Sequence, residues 1–132
     1  MFRWPIFIYY EDTDAGGVVY HSNYLNFFEQ ARTQWLRSMG VSQTALLQDD
    51  TAFVVKHAAL NFCKAARFEQ ELQVESEVIQ LKKASLTFRQ RLVDEQGVLY
   101  CEADIQVACI LLSRMRPKAI PQHIAQEFHG GS

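Results

Sequence analysis

The stretch "EDTDAGGVVYH", residues 11–21, sets two aspartates, two glycines and a histidine between an apolar run and a long amphipathic segment. Acidic pairs in such a loop hold a metal, act on a substrate or cap a helix. Calcium does not fit: with Asp12 and Asp14 at the first and third positions of an EF-hand loop, Asn23 falls at the twelfth, where a glutamate is required. A phosphate loop fails too, because no Gly-Lys-Ser/Thr follows the glycines. Aspartate is also a favoured turn residue, but three features argue that Asp14 does more. It falls between a strand end and a helix start, where unpaired N–H groups and the helix dipole favour an anion. The glycines let a ligand or another chain approach the backbone closely. Tyr10 and His21 flank the same turn and add two polar groups, and a carboxylate beside donors suits acyl chemistry. Asp12 is read as structural, since two ionised carboxylates in one small site repel each other.

The remaining polar residues read as framework. Glu29 and Arg32, one helical turn apart, are expected to form an intrahelical or helix-to-sheet pair. His57 lies in an apolar strand and reads as a core or interface histidine, while His123 and His129 read as surface. Lys56, Lys64, Arg67, Lys82, Lys83, Arg89 and Arg91 are ordinary solvated charges from which the phosphates of a nucleotide-tailed substrate could draw partners. Cys63, Cys101 and Cys109 form no C-x-x-C pair and sit in apolar stretches, so all three are expected to be buried free thiols.

The elements that must position the loop follow from hydrophobic period. Residues 3–10 are aromatic and β-branched and predict a strand ending at Glu11. From Asn23 to Met39 the apolar residues Tyr24, Phe27, Phe28, Ala31, Trp35 and Met39 recur at three- and four-residue spacing, which predicts a helix stopped by Gly40. Ser42 is placed to cap a second, short helix over 43–48. The rest reads as long strands: 52–63 apolar on both faces, then alternating runs around Leu72–Val78, Leu86–Leu92 and Leu99–Leu111, with a hairpin turn at "DEQG", 94–97. A short helix is expected after Pro121, and the terminal "HGGS" is set aside as a chain end. One long helix with four or five long antiparallel strands is an α+β fold whose sheet must curve around the helix. The two-sided apolar strands then need a second cover, which a homodimer joined through its sheets would supply.

At 132 residues the chain has room for one domain, 1–132, with a real core. A formal net charge of -2 argues against broad nucleic-acid binding, which needs a basic field. The N-terminal stretch lacks a signal-peptide core, and the longest apolar run, "VACILL" from Val107, is far too short to span a membrane. These features predict a cytoplasmic protein.

With these readings in place, "FRWPIFIYYEDTDAGGVVYHSNYLNFFEQARTQWL" resembles the opening of the hotdog-fold acyl-CoA thioesterases of the 4-hydroxybenzoyl-CoA thioesterase superfamily, with their Y-x-D-T-D-x-x-G-x-V-Y-H-x-x-Y pattern followed by E-x-A-R. Within that superfamily it is most similar to the YbgC-type thioesterases of bacterial Tol-Pal clusters, through "AFVV", "AARF", "SLTFRQRLV" and "RMRPKAIP". The resemblance implies a long helix wrapped by an antiparallel sheet, paired into a homodimer and commonly a homotetramer, with active sites between subunits. It makes Asp14 the catalytic aspartate and brings Tyr10 and His21 into the catalytic set. It also implies that a helix-start N–H near His21 polarises the thioester carbonyl while the pantetheine arm runs between subunits. Ala65 departs from relatives that carry proline there, which would loosen that loop.

The chemistry agrees with the residues. A thioester has an activated carbonyl and a leaving thiol of pKa about 8.5, by the cysteine reference, so neither metal nor cofactor is needed and one carboxylate suffices. Asp14 would serve as nucleophile or as general base. The substrate expected is acyl-CoA, with acyl carrier protein as the other carrier. Two further readings share parts of this chemistry: a hydratase or dehydratase acting on acyl thioesters, and a non-catalytic module that binds acyl thioesters or acyl carrier protein.

Overall fold

The computed structural model describes residues 1–131. Strand β1, Phe2–Phe7, leads through a single 3-10 turn, Tyr10–Asp12, to helices α1, Asn23–Ser38, and α2, Gln43–Gln48. Long strands β2, Thr51–Phe62, β3, Glu71–Leu81, β4, Ser85–Val93, and β5, Leu99–Leu111, follow, then β6, Arg116–Pro117, and helix α3, Gln122–Gly131. All pairings are antiparallel, in the order β1-β3-β4-β5-β2, and β6 adds to the end of β5. Edge positions therefore fall to β1 and β2.

Helix α1 forms as its period predicts. Tyr24, Phe27, Phe28, Ala31 and Trp35 are buried on one stripe, and Gly40 takes the left-handed conformation, φ 80°, that ends the helix. Each such aromatic contributes about 2–3 kcal/mol by leaving water. Ser42 Oγ accepts the Ala45 N–H at 3.1 Å and caps α2. The sheet curls over the α1 stripe, and α3 closes its open end: Trp35 meets Phe88 and Phe128 edge-on, with ring centroids 5.8 and 5.1 Å apart. The result is the expected α+β arrangement, the hotdog fold. None of the described helices is long and apolar enough to cross a membrane.

Three expectations need correction. Strand β1 stops at Phe7, short of Glu11, because its partner β3 begins at Glu71 and the Asp12 carboxylate draws the Tyr9 N–H into the 3-10 turn at 2.8 Å. Cys63 is exposed while Cys101 and Cys109 are buried: it stands just past the end of an edge strand, where no further strand covers it. The tail that was set aside is helical as far as Gly131, held on the core by Ile124 and Phe128, and Ser132 lies outside the described residues.

Strand β2 is 12 residues long, pairs among the described residues only with β5, and leaves Val55 and Phe62 more than half exposed. The register with β5 slips between Val55 and His57, so the strand bends at Lys56. An open edge of this length with apolar side chains is a template for another strand. His57 is exposed on it, so within one chain it is no core residue.

Candidate active site

The acidic loop is a small hairpin. Thr13 and Val19 form a bridge, the Asp14 N–H donates to the Val18 carbonyl at 2.9 Å, and the Gly17 N–H returns to the Asp14 carbonyl at 3.0 Å. Gly17 supplies the positive φ of 77° that this turn needs. The glycine pair thus shapes the loop first. Gly16 does more: its N–H donates to Asp14 Oδ1 at 2.9 Å, and a Cβ at Gly16 would sit 3.3 Å from that oxygen. One oxygen of an exposed carboxylate is thereby fixed, and Oδ2 has no partner among the described residues.

Asp12, two residues away, has no such freedom. Its Oδ2 accepts the Tyr9 N–H and its Oδ1 the Asn23 amide, each at 2.8 Å, and its carbonyl accepts the Tyr20 N–H at 3.1 Å. It joins the strand exit, the hairpin and the first turn of α1, which is the structural part that repulsion from a second carboxylate predicts.

Tyr10 and His21 both lie on this surface. The Tyr10 ring stands edge-on to Phe68, centroids 5.8 Å apart, and is 78% exposed, so its hydroxyl is open to a ligand. The exposed His21 ring tilts against Tyr20 at 4.4 Å. Neither hydrogen-bonds Asp14 among the described residues; the three share a loop, without mutual contacts. The His21 backbone N–H, two residues before α1, also donates to no described group. It is one of the unpaired donors that gather at a helix start.

The β2–β3 connection grips the hairpin from behind. The Val19 N–H donates to the Ala66 carbonyl at 2.8 Å, the Phe68 N–H to the Gly17 carbonyl at 3.2 Å, and Val18 bridges Arg67. Tyr24 of α1 is buried beneath and its hydroxyl accepts the Ala66 N–H at 3.2 Å. Ala65 donates its own N–H to nothing described, which is why proline is acceptable there; the bonds at its neighbours hold the segment without it.

The structure sorts the basic residues. Arg89 pairs with Asp104 at 2.9 Å and Arg91 with Glu102 at 2.8 Å, so both are committed to the sheet surface. Arg32 does reach from helix to sheet, but its partner is the amide oxygen of Gln90 at 2.8 Å, and burial lowers the guanidinium to a pKa of about 10, with nearby Glu29 opposing. Gln90 is fully buried and also donates to the Phe28 carbonyl and to Ser76 Oγ. The strand's alternation puts Gln90 inward with Leu86, Phe88 and Leu92, and the partners that satisfy its amide come from α1 and β3. Arg32, Leu36, Phe53, Val55, Phe88 and Phe128 line a cavity of about 370 Å³ between α1 and the sheet, against edge strand β2. Asp14, Tyr10 and His21 are not among its lining residues, so within one chain the cavity and the carboxylate are separate.

Lys82 and Lys83 stand in the β3–β4 turn, beside a segment whose arginines sequence reasoning did not single out: the Ile120 N–H donates to the Lys83 carbonyl at 2.8 Å, and Arg114 and Arg116 lie just upstream. All four side chains are exposed and in no ion pair among the described residues. Alternate basic residues in "RMRPK" were the available signal, but only the sheet shows that they face the lysine turn. Lys118 is not free, since it bonds the Asp49 carboxylate at 3.3 Å and the buried Thr51 hydroxyl.

An open carboxylate on a hairpin and an unpaired basic cluster are the parts a nucleotide-carried acyl group requires, and comparison with known proteins agrees. The Thioesterase-like superfamily model matches residues 9–128. The acyl-CoA thioesterase YbgC of Haemophilus influenzae is 46% identical over 129 residues, covering 97% of this chain and 94% of the relative. The acyl-CoA thioester hydrolase YbgC of Escherichia coli O6:H1 is 43% identical, covering 97% and 96%. Among solved structures, a 1,4-dihydroxy-2-naphthoyl-CoA thioesterase from Synechocystis superposes with a TM-score of 0.88 at 26% identity, covering 96% of this chain and 93% of that one. With near-complete coverage at this identity and the same curled sheet, the chain belongs to the thioesterase-like superfamily, as a hotdog-fold acyl-CoA thioesterase of the YbgC type.

Proposed function

We propose that Asp14 is the group that acts on the thioester of an acyl-CoA, releasing free acid and CoA thiol. The observation that carries this is the contrast within one loop: Asp12 has both oxygens bonded, whereas Asp14 has one fixed by Gly16 and one open. The open oxygen either attacks the carbonyl carbon, expelling thiolate and leaving a mixed anhydride that water opens, or takes a proton from the attacking water. The unpaired His21 N–H is suited to hold the developing oxyanion. The Tyr10 hydroxyl and the His21 ring, both exposed beside it, orient the participants.

The carrier's phosphates are assigned to Lys82, Lys83, Arg114 and Arg116, four exposed cations without ion pairs among the described residues that the sheet gathers at one end; Lys56, Lys64 and Arg67 are also exposed and unpaired but lie elsewhere along the chain. That cluster lies where β2 begins, whereas the Asp14 hairpin is gripped just beyond where β2 ends. A 12-residue strand spans roughly 35–40 Å at about 3.3 Å per residue, longer than a pantetheine arm. A second copy pairing antiparallel along β2 reverses one end against the other, covers the exposed Val55 and Phe62, and sets one protomer's carboxylate near its partner's cations and cavity. A homodimer is therefore the minimal unit, and a homotetramer would be a pair of these. The cavity against β2 is assigned to the acyl group, and the setting to the cytoplasm, where CoA thioesters are made.

The test is thiol release from short, long and aromatic acyl-CoA substrates, wild type beside Asp14→Asn. Loss of turnover in a folded variant supports the assignment, and undiminished turnover removes it. No hydrolysis by either protein would move the substrate to acyl-carrier-protein thioesters or the role to thioester binding. Single turnover in oxygen-18 water shows which carbonyl carbon water attacks: label in the Asp14 side chain marks attack by Asp14 on the thioester, and label only in the released acid marks water attack at the substrate carbonyl.

A further inference from the structure

The basic end of the sheet has a holding device of its own. Asp50, between α2 and β2, accepts the Ser113 N–H at 2.9 Å and the Ser113 hydroxyl at 2.6 Å through its carboxylate. Its carbonyl accepts the Leu112 N–H at 2.9 Å. These bonds clamp the start of the turn that carries Arg114 and Arg116. The turn needs a clamp: it is exposed, it carries two unpaired arginines, and Met115 at its apex is in the left-handed region at φ 50°. Asp50 is itself left-handed at φ 55°, a conformation that aspartate tolerates better than most residues. Its hydrogen bonds from Ser113, helped by Lys118 and Arg114, hold its carboxyl below the usual range. Asp49, its neighbour, bonds Lys118, so the adjacent aspartates divide the work.

We propose that Asp50 is a positioning residue for the carrier: by fixing Ser113 it presets the Arg114–Arg116 turn to meet the phosphates of CoA. The proposal rests on the phosphate assignment made above. A preset turn avoids the ordering cost that a loose one pays on binding. Asp50 touches no part of the thioester, so it acts on affinity for the nucleotide end and not on the chemical step.

The measurement is kcat and KM for one acyl group carried on CoA and on pantetheine, which lacks the nucleotide, using wild type, Asp50→Ala, Asp50→Asn and Ser113→Ala. Losing an anchored charge contact gives roughly a five- to tenfold higher KM for acyl-CoA in Asp50→Ala, with kcat and the acyl-pantetheine KM unchanged. Asp50→Asn, which tolerates the left-handed backbone and retains an acceptor, recovers part of the loss, and Ser113→Ala shows a smaller rise of the same kind. An unchanged acyl-CoA KM, or an equal rise for both carriers, overturns the proposal. Arg114→Ala/Arg116→Ala is the control: if it raises the acyl-CoA KM and the Asp50 and Ser113 variants do not, only the positioning role falls. If it too has no carrier-dependent effect, the phosphate assignment falls with it.

Discussion

At the Phe62 end of β2 the backbone does the holding, and what it holds is a carboxylate; at the Thr51 end carboxylates do the holding, and what they leave free are cations. The Asp14 hairpin is fixed by Thr13, Gly16, Gly17, Val18 and the carbonyl of Ala66, all through main-chain groups, so among the described residues no other side chain competes for the open oxygen of Asp14. The basic end is carried on the β3–β4 and β5–β6 turns, where Asp49 and Asp50 add side-chain bonds to Lys118 and Ser113, and the exposed arginines and lysines remain available. A reacting oxygen must be aimed to within a fraction of an ångström, which a main-chain turn can do. A phosphate contact acts by charge over longer distances and tolerates flexible side chains.

The largest effect that would break this comparison is at Asp14. Asp14→Asn should lower kcat by about 10³-fold, the middle of the range for losing a positioned base, with stability nearly unchanged. Asp12→Ala should do the reverse. It removes two charge-assisted hydrogen bonds and should cost about 2 kcal/mol of stability, read from the urea midpoint, while the residual folded enzyme keeps most of its kcat. If both variants lose turnover equally, the division of labour within the loop is wrong. Gly16→Ala should fall between them, with kcat reduced several-fold, because the new Cβ presses on Asp14 Oδ1 at 3.3 Å and turns the carboxylate by a small amount.

At the other end the effect is smaller and confined to KM. Arg114→Ala/Arg116→Ala should raise the KM for acyl-CoA by roughly tenfold, and salt should do likewise in the wild type, since exposed charges are screened over about 10 Å at 0.1 M. Acyl-pantetheine turnover should respond to neither. Matching salt dependence for both carriers would remove the distinction between the ends.

The interior is tested through pH. Burial pushes the Cys101 thiol up to about 12, above its ordinary 9. A group whose pKa is raised on folding contributes stability that is present below its unfolded value and is lost as pH climbs from about 9 toward 12. The urea midpoint should fall across that window, and Cys101→Ala, slightly less stable at pH 7, should show a shallower decline.

Much of this was legible in the chain. The apolar spacing from Tyr24 to Trp35, the Gly40 stop, the Ser42 cap and the turn at 94–97 are local matters of periodicity and backbone freedom, and each formed as read. The candidate loop was also legible, because two aspartates and two glycines between a strand and a helix are an unusual local combination. What neighbouring residues could not specify was the difference between Asp12 and Asp14: they share composition and setting, and only the positions of Tyr9 and Asn23 show that one is saturated. Cys63 looked as apolar as Cys101 until strand order put it at an open edge. Alternation puts Gln90 on the inward face of its strand, but only the tertiary structure brings Arg32, Phe28 and Ser76 to its amide from α1 and β3. The basic cluster joins residues more than thirty positions apart, and the Asp50 clamp spans 63. Periodicity reads the chain three or four residues at a time, whereas the sheet decides which distant segments meet, and charge and burial are properties of that meeting.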